Sequence, residues 1–325
     1  MTKPQRDKKL SNLPEGAEYL PKPAMPRVSP RLMLKTSPTL RRPLPTRLLL
    51  ARSERKVRRL WASHEGTRRY WLGTMESIVA GTDHAAELEQ LALAQVIERD
   101  AWDTLFWQPW EQLLLDEQSR EHILSPISSG RAVILTACHT GPFFHRTITL
   151  SANGVHPATV AGEFWFEPPS SDMWGRRLAR WRRGVPVLPV VRQRGSFKVL
   201  ATLAADHVPL LLYFDMPGRQ ETRFLGKPAM MVNGTARLAV DAEALIVPIR
   251  CQRVGHRVRE EAFEPLDARD FASVDELHQK LADVHTRLIL EHPAQMSAPS
   301  EFGWGNGATP EIWRPPSADS DRGTR

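Results

Sequence analysis

Cysteine is nearly absent from this 325-residue chain; the two present, Cys138 and Cys251, each lie inside an apolar run. That usage excludes a disulfide-stapled secreted scaffold and predicts buried free thiols in a reducing compartment. Long hydrophobic runs are missing too. The longest, Val208–Phe214 and Leu245–Ile249, fall far short of the roughly 20 residues that a membrane-spanning helix needs, so no such helix is expected. The basic beginning is not followed by the apolar stretch of a secretory signal. Glycine-rich phosphate loops are absent, and His207, His256, His278, His285 and His292 stand at no metal-ligand spacing. No cofactor and no metal site are therefore predicted.

Acidic residues are scarce at the start of the chain. Residues 1–60 hold 16 Lys/Arg against 4 Asp/Glu, whereas the whole chain has 44 against 37, so the basic character belongs to this segment and not to the body. Nine of the 27 prolines lie between Pro4 and Pro45. Residues 1–52 read as a basic, proline-rich arm that stays extended or disordered. Three uses remain open for it: attachment to an anionic membrane surface, nonspecific nucleic-acid binding, and a solvated tail. No recognised nucleic-acid-binding signature accompanies the arm, so no specific nucleic-acid partner is expected.

What is present is an ordinary globular balance, 41% hydrophobic and 25% charged. From Ser53 to about Leu124, apolar and aromatic residues recur at spacings of three and four, including Val57, Leu60 and Trp61, then Tyr70, Trp71, Met75 and Ile78. The pattern continues past Pro109 to Leu113 and Leu114. From Arg131 onward the pattern changes to short apolar runs at 132–138, 158–161, 185–191, 209–214 and 245–250. Helix-like stretches separate them, and a further amphipathic helix covers 275–291. The alternation predicts an α/β fold: a mixed, largely parallel sheet flanked by helices, with an N-terminal helical region. Residues 53–313 form one domain in this reading, helical over 53–127 and sheet-based over 128–313, with a disordered tail at 314–325.

His139 ends the run Ala132–Cys138, and Thr140-Gly141-Pro142 follows at once. A strand end delivering an imidazole into a tight loop suits proton transfer at neutral pH. Asp215 ends a second apolar run, and active groups in open α/β sheets gather beyond the carboxyl ends of strands. The two are therefore expected to be neighbours. Asp215 opens the segment to Pro228, whose Arg219, Arg223 and Lys227 are candidates for binding an anionic group, unless the segment is a surface hairpin with solvated charges. Cys138 beside His139 makes a poor nucleophile pair, because adjacent strand residues point to opposite faces. Arg176, Arg177, Arg180, Arg182 and Arg183, threaded with Trp174 and Trp181, read either as a cationic face for a lipid or acidic carrier surface or as a solvated helix face.

The ordered string from Arg131 to about Met296 resembles the bacterial lipid A biosynthesis acyltransferases of the lauroyl and myristoyl transferase type. That group takes in mycobacterial phosphatidylinositol mannoside acyltransferase and lies within the lysophospholipid acyltransferase-like superfamily. The matching pieces are the strand ending in His139 with Gly141, Leu211–Asp215, Phe224–Ala229, Asn233–Ala239, Val247-Pro248 and Glu291–Gln295. The resemblance covers roughly half the chain. It implies transfer of a fatty acyl chain from acyl-CoA or acyl carrier protein to a hydroxyl of a lipid or glycolipid. The setting it implies is the cytoplasmic face of the membrane; that family usually carries an N-terminal membrane-spanning helix, which the basic, proline-rich arm here does not match, so this chain is expected to be held there peripherally.

In that family a His-x4-Asp/Glu motif performs the chemistry, the imidazole taking the acceptor's proton while the acid orients it. His139 fills the first position, but the acid position is Phe144, which cannot accept a hydrogen bond. Three explanations stand. The acid comes from elsewhere, with Asp215, Glu163 and Glu167 as candidates; His145 pairs with His139; or the chain is a non-catalytic lipid-binding or scaffold relative. The expected site is therefore His139 and Asp215 for chemistry, with Arg219, Arg223, Lys227, Glu163 and His145 around the substrate.

Overall fold

Two prolines of the first segment, Pro30 and Pro38, start helices rather than prevent them. The computed structural model describes residues 28–108, 113–161, 172–184, 188–191 and 195–297. Within these the chain is helical from α1 (Pro30–Thr36) through α2 (Pro38–Arg41) to α3 (Thr46–Ser63). Pro30 and Pro38 occupy the first turn, where a missing N–H has no helical partner to lose. Ser29 and Ser37 precede them and accept the amides of Leu32 and Leu40. This corrects the expectation of an extended arm for residues 30–52 and puts the first long helix across the predicted boundary at 53. Residues 1–27 and the predicted tail lie outside the described residues.

Helix α3 packs with α4 (Glu65–Val79) and α5 (Leu88–Phe106). Val57, Trp61, Met75, Ile78 and Val96 enter the core, as their three- and four-residue spacing predicts, and Ala92 joins them, whereas Tyr70 of the same pattern is exposed. The helix expected to run on through Leu114 stops at Phe106. Leu113–Leu115 forms strand β1 instead, and Asp116 then caps α6 (Glu117–Ser128) by accepting the Ser119 amide at 2.8 Å. An apolar triplet directly before a capping aspartate has no turn to propagate, so its backbone groups find partners in the sheet.

The body alternates as the apolar runs require: β2 (Val133–Ala137), α7 (Arg146–Ala152), β3 (Ala158–Ala161), α8 (Asp172–Gly184), β4 (Leu188–Val191), α9 (Ser196–Ala205) and β5 (Leu210–Tyr213). Then come a hairpin of β6 (Pro217–Phe224) and β7 (Lys227–Met231), α10 (Gly234–Asp241), β8 (Leu245–Val254), β9 (Arg257–Ala262), β10 (Leu266–Asp267) and α11 (Val274–Leu290). The main sheet runs in the order β1, β9, β8, β2, β5, β3, β4, with β10 also beside β8. Its pairings are parallel except those of β8 with β9 and with β10. This is the mixed, largely parallel sheet with flanking helices that the sequence predicts.

Strand β2 lies between β8 and β5 and is buried on both faces, which is why it reads as a continuous apolar run. Val133, Leu135 and Ala137 join Ile123 and Leu150 on one side, while Ile134 and Cys138 enter the larger core with Leu203, Leu238 and Leu281 on the other. Strand β9 has no apolar run at all. Its sequence, Arg257-Val-Arg-Glu-Glu-Ala262, hides a period of two in which Val258, Glu260 and Ala262 face inward.

Candidate active site

Neighbouring parallel strands end together, and β2 and β5 are neighbours, with Ala137 paired to Tyr213. The Phe214 amide continues the ladder by donating to the Ala137 carbonyl at 2.7 Å. His139 stands two residues past the end of β2, and Asp215 two past the end of β5. Oδ1 of the fully buried Asp215 lies 2.8 Å from His139 Nδ1, and Oδ2 accepts the His139 backbone N–H at 2.8 Å. A carboxylate in that position pairs with the tautomer that carries its proton on Nδ1 and its lone pair on Nε2.

Aromatic rings fix the imidazole plane. Tyr213 stacks on it at 4.1 Å between centroids and 17° between planes, and Phe143 meets it edge to face at 5.0 Å. Burial pushes the Tyr213 phenol up to about 12, so it stays un-ionised at neutral pH.

The loop that carries His139 is held by the chain after α11. The Gly141 N–H donates to the Gln295 carbonyl at 2.6 Å, and the Ser297 N–H donates to the His139 carbonyl at 2.9 Å. The Gln295 side chain in turn spans the Arg253 backbone, accepting its N–H at 2.7 Å and donating to its carbonyl at 3.0 Å. The Glu291–Gln295 piece of the sequence pattern is thus a clamp on the histidine loop. Gly141 has φ +59°, and a Cβ there would overlap the Cys251 carbonyl. Only glycine fits that close backbone approach.

Phe144 turns away from the acid's task. It stacks on Phe143 at 4.5 Å, meets Phe106 at 6.1 Å and lies beneath the Arg177 guanidinium at 5.7 Å. With Trp102, Arg99 and Phe106 these residues line a small cleft of about 60 Å³ beside the His139 loop. His145 belongs to the same wall. It is buried, its Nδ1 lies 3.1 Å from the Pro142 carbonyl, and its ring edges Phe106. Burial lowers it to about 4, so it is a neutral packing residue rather than a charged partner for His139.

Where its side chains are described, the basic cluster of α8 is engaged mainly by the rest of the fold, and Arg177 also lines the cleft. Arg176 is buried and donates to Thr36 Oγ1 at 2.6 Å, and Arg177 pairs with Asp103 at 2.5 Å. Arg180 donates to the Phe106 and Gln108 carbonyls at 2.8 and 2.6 Å, at the C-terminal end of α5. Trp181 donates to Thr147 Oγ1 at 2.8 Å. These residues clasp α8 to α1, α5 and α7, a structural use that neither expectation for them included. The side chains of Trp174, Arg182 and Arg183 lie outside the described residues.

The segment after Asp215 is the hairpin β6–β7. Arg219 and Arg223 point outward from it, and Lys227 reaches the carbonyls of Glu76 and Ser77 at 3.4 and 3.3 Å, in the last turn of α4. Glu163 and Glu167 lie outside the described residues. Of the three carboxylates considered as a substitute acid, Asp215 is the one the described structure brings to His139.

Three residues at the site escaped the sequence reading. Tyr213 was counted only as part of an apolar strand. Arg146 and Glu260 form a buried ion pair, Nε to Oε1 at 2.7 Å, with no exposure of either side chain. The signal for Glu260 was available: a carboxylate at an inward position of an alternating strand demands a buried cation. Among the described residues no cluster of His, Cys, Asp and Glu could hold a metal ion, and no helix is long and apolar enough to cross a membrane.

Fold and site together define the chain as an α/β protein with a His–Asp pair where two adjacent parallel strands end. Known proteins then give the particulars. No protein-family model matches the chain. Over 189 residues it is 29% identical to the phosphatidylinositol mannoside acyltransferase of Mycolicibacterium smegmatis, a match that takes in 55% of this chain and 59% of that protein. The chain therefore aligns with about three fifths of the length of this curated relative. Among solved structures, the 1-acyl-sn-glycerophosphate (LPA) acyltransferase PlsC from Thermotoga maritima superposes with a TM-score of 0.38 at 18% identity, covering 77% of this chain and 98% of that one.

Proposed function

We propose that this protein is an acyltransferase that moves a fatty acyl chain from an acyl thioester to a hydroxyl of a lipid or glycolipid. The donor is acyl-CoA or acyl carrier protein, and His139 is the general base. The observation that carries the reading is the pair of hydrogen bonds that Asp215 accepts from His139, at Nδ1 and at the backbone amide. It supplies the orienting carboxylate that position 144 lacks. In the reaction, Nε2 takes the proton of the acceptor hydroxyl as its oxygen attacks the thioester carbonyl carbon. The tetrahedral intermediate then collapses, the C–S bond breaks, and the imidazolium returns its proton to the departing thiolate. Asp215 holds the ring and balances the imidazolium charge. Arg219, the cation of the hairpin nearest to Asp215 along the chain, is the candidate we take for the anionic part of a donor or acceptor.

The site would meet its lipid at the cytoplasmic face of a membrane, with the protein held there peripherally. Five of the seven exposed large hydrophobics among the described residues, Met33, Leu34, Leu40, Leu44 and Leu48, fall within sixteen positions and are interleaved with Lys35, Arg42 and Arg47. Apolar and cationic residues gathered in a short stretch, here spread from α1 through α2 to the start of α3, are the composition that binds an anionic lipid surface.

The experiment is thiol release by the purified full chain from acyl-CoA and acyl carrier protein, with and without a panel of lipid and glycolipid hydroxyl acceptors. Acceptor-dependent release that His139→Ala abolishes supports the reading. Absence of release across the panel, or a silent His139→Ala, would sink it and leave the non-catalytic lipid-binding alternative, whose signature is acyl lipid that co-purifies with the protein.

A further inference from the structure

Arg146 opens α7 seven positions after His139, and its side chain is sealed from solvent. While Nε donates to Glu260, Nη1 donates to the Cys138 carbonyl at 3.1 Å, the residue immediately before His139. The guanidinium carbon stands 5.5 Å from the centroid of the Tyr213 ring, and that same ring stacks on His139. Glu260 reaches this point from β9, two strands away from β2. A buried ion pair is an inefficient source of stability, because desolvating both ions consumes most of their attraction and an apolar pair of similar volume often serves as well or better. Here Arg146 touches two of the things that, with Asp215, set the attitude of the imidazole: the backbone on which it is mounted and the ring on which it lies.

We infer that Arg146, held by Glu260, is a positioning residue for His139, fixing the Cys138 carbonyl and the Tyr213 ring so that Nε2 faces the acceptor hydroxyl in one orientation. The inference rests on His139 acting as the general base. Arginine suits the task because its planar fork serves Glu260 and the carbonyl at once, whereas lysine offers a single point of charge.

The test is the double variant R146M/E260L in the full chain, which removes both charges and fills the space with apolar atoms. A merely structural pair would leave such a variant folded and fully active. The positioning role instead predicts a melting temperature at or above that of the unaltered protein, with kcat lower by about a hundredfold and KM little changed. The imidazole nitrogen shifts of His139, assigned by their loss in His139→Gln, are expected to change in the double variant and to change less in R146K. A folded double variant with unaltered kcat and unaltered His139 shifts would overturn the inference. Should the double variant fail to fold, R146K decides: wild-type melting with reduced kcat supports the role, and wild-type kcat overturns it. Should the unaltered protein show no turnover, the acyl-transfer reading fails on its own, and the His139 shifts still report whether Arg146 sets the ring.

Discussion

Asp215 binds His139 at two points, the imidazole Nδ1 and the backbone amide, each at 2.8 Å. One carboxylate thus fixes both the rotation of the ring and the position of the loop that carries it. The arrangement follows from topology: β2 and β5 are parallel neighbours, so residues two positions past their ends meet. An acid at position 144 would lie on the same loop as the imidazole, whereas Asp215 comes from a separate strand end sealed from water.

Asp215→Asn is therefore expected to cut kcat for acyl transfer by about 10⁴, the size of effect seen when the orienting carboxylate of a serine-protease triad becomes an amide. Adding Phe144→Asp to that variant should not restore the rate. The Phe144 ring is committed to Phe143, Phe106 and Arg177, and its direction is set by that aromatic cleft. Acceptor-dependent thiol release measures both, and recovery of activity in the double variant would show that the acid position itself still functions.

Gly141→Ala should destabilise the protein by about 3 kcal/mol or more, because the added methyl meets the Cys251 backbone, which cannot move without disturbing β8. Gly66→Ala is the control. It lies in α4, its added methyl meets no atom within 4 Å, and it should stabilise slightly or do nothing. Urea midpoints of the two variants give the comparison, and equal midpoints would refute the close-approach argument.

Much of this was legible in the sequence because buried parallel strands announce themselves as apolar runs and because strand ends are where such sheets place polar groups. The β2 and β5 runs and the residues that follow them were found on those grounds. Helices α1 and α2 and the start of α3 were not, since prolines in the first turn of a helix look the same, residue by residue, as prolines in an extended arm. Strand β9 was missed because inward Glu260 and outward Arg257, Arg259 and Glu261 hide its alternation. The structural use of the α8 arginines was missed for a related reason. Charge on a helix says nothing about whether carbonyls at the end of another helix are waiting for it, as those of Phe106 and Gln108 are for Arg180.

Acid should unfold the protein through buried histidines. His145 and His285 are both fully buried and lowered to about 4 by desolvation, against 6.5 for an exposed ring. Between those values the unfolded chain binds protons that the folded chain refuses, so stability is complete above about pH 6.5 and is lost as pH falls toward 4. Each histidine accounts for about 3 kcal/mol of that loss. His285 reaches Thr136 Oγ1 at 3.2 Å and stacks on Phe214, so a His285→Gln variant keeps a polar partner while losing the titration. Its urea midpoint should fall less between pH 7 and pH 4.5 than that of the unaltered protein, and parallel curves would show that His285 does not contribute.

Binding to anionic vesicles should depend on the residue 33–48 segment in two separable ways. Salt weakens the contribution of Lys35, Arg42 and Arg47, each near a charged surface contributing about 1 kcal/mol, within a screening length of about 8 Å at physiological ionic strength. The apolar contribution of Leu34 and Leu48, both more than half exposed, is insensitive to salt. Leu34→Ser with Leu48→Ser should therefore lower vesicle affinity by at least about tenfold, since inserting even one leucine side chain is worth about 1.5–3 kcal/mol, while the salt dependence of the remaining binding keeps its slope. Replacing the three cations by glutamine should do the reverse, flattening the salt dependence while leaving the apolar contribution in place. Both variants leave the His139–Asp215 pair untouched, so turnover of a short-chain, water-soluble acceptor should be unchanged even as turnover of vesicle-borne acceptor falls. Equal losses on the two acceptors would mean that the segment supports the fold of α5 and α8, through the Arg41 bond to the Thr104 carbonyl and the Thr36 bond from Arg176, and not the lipid surface.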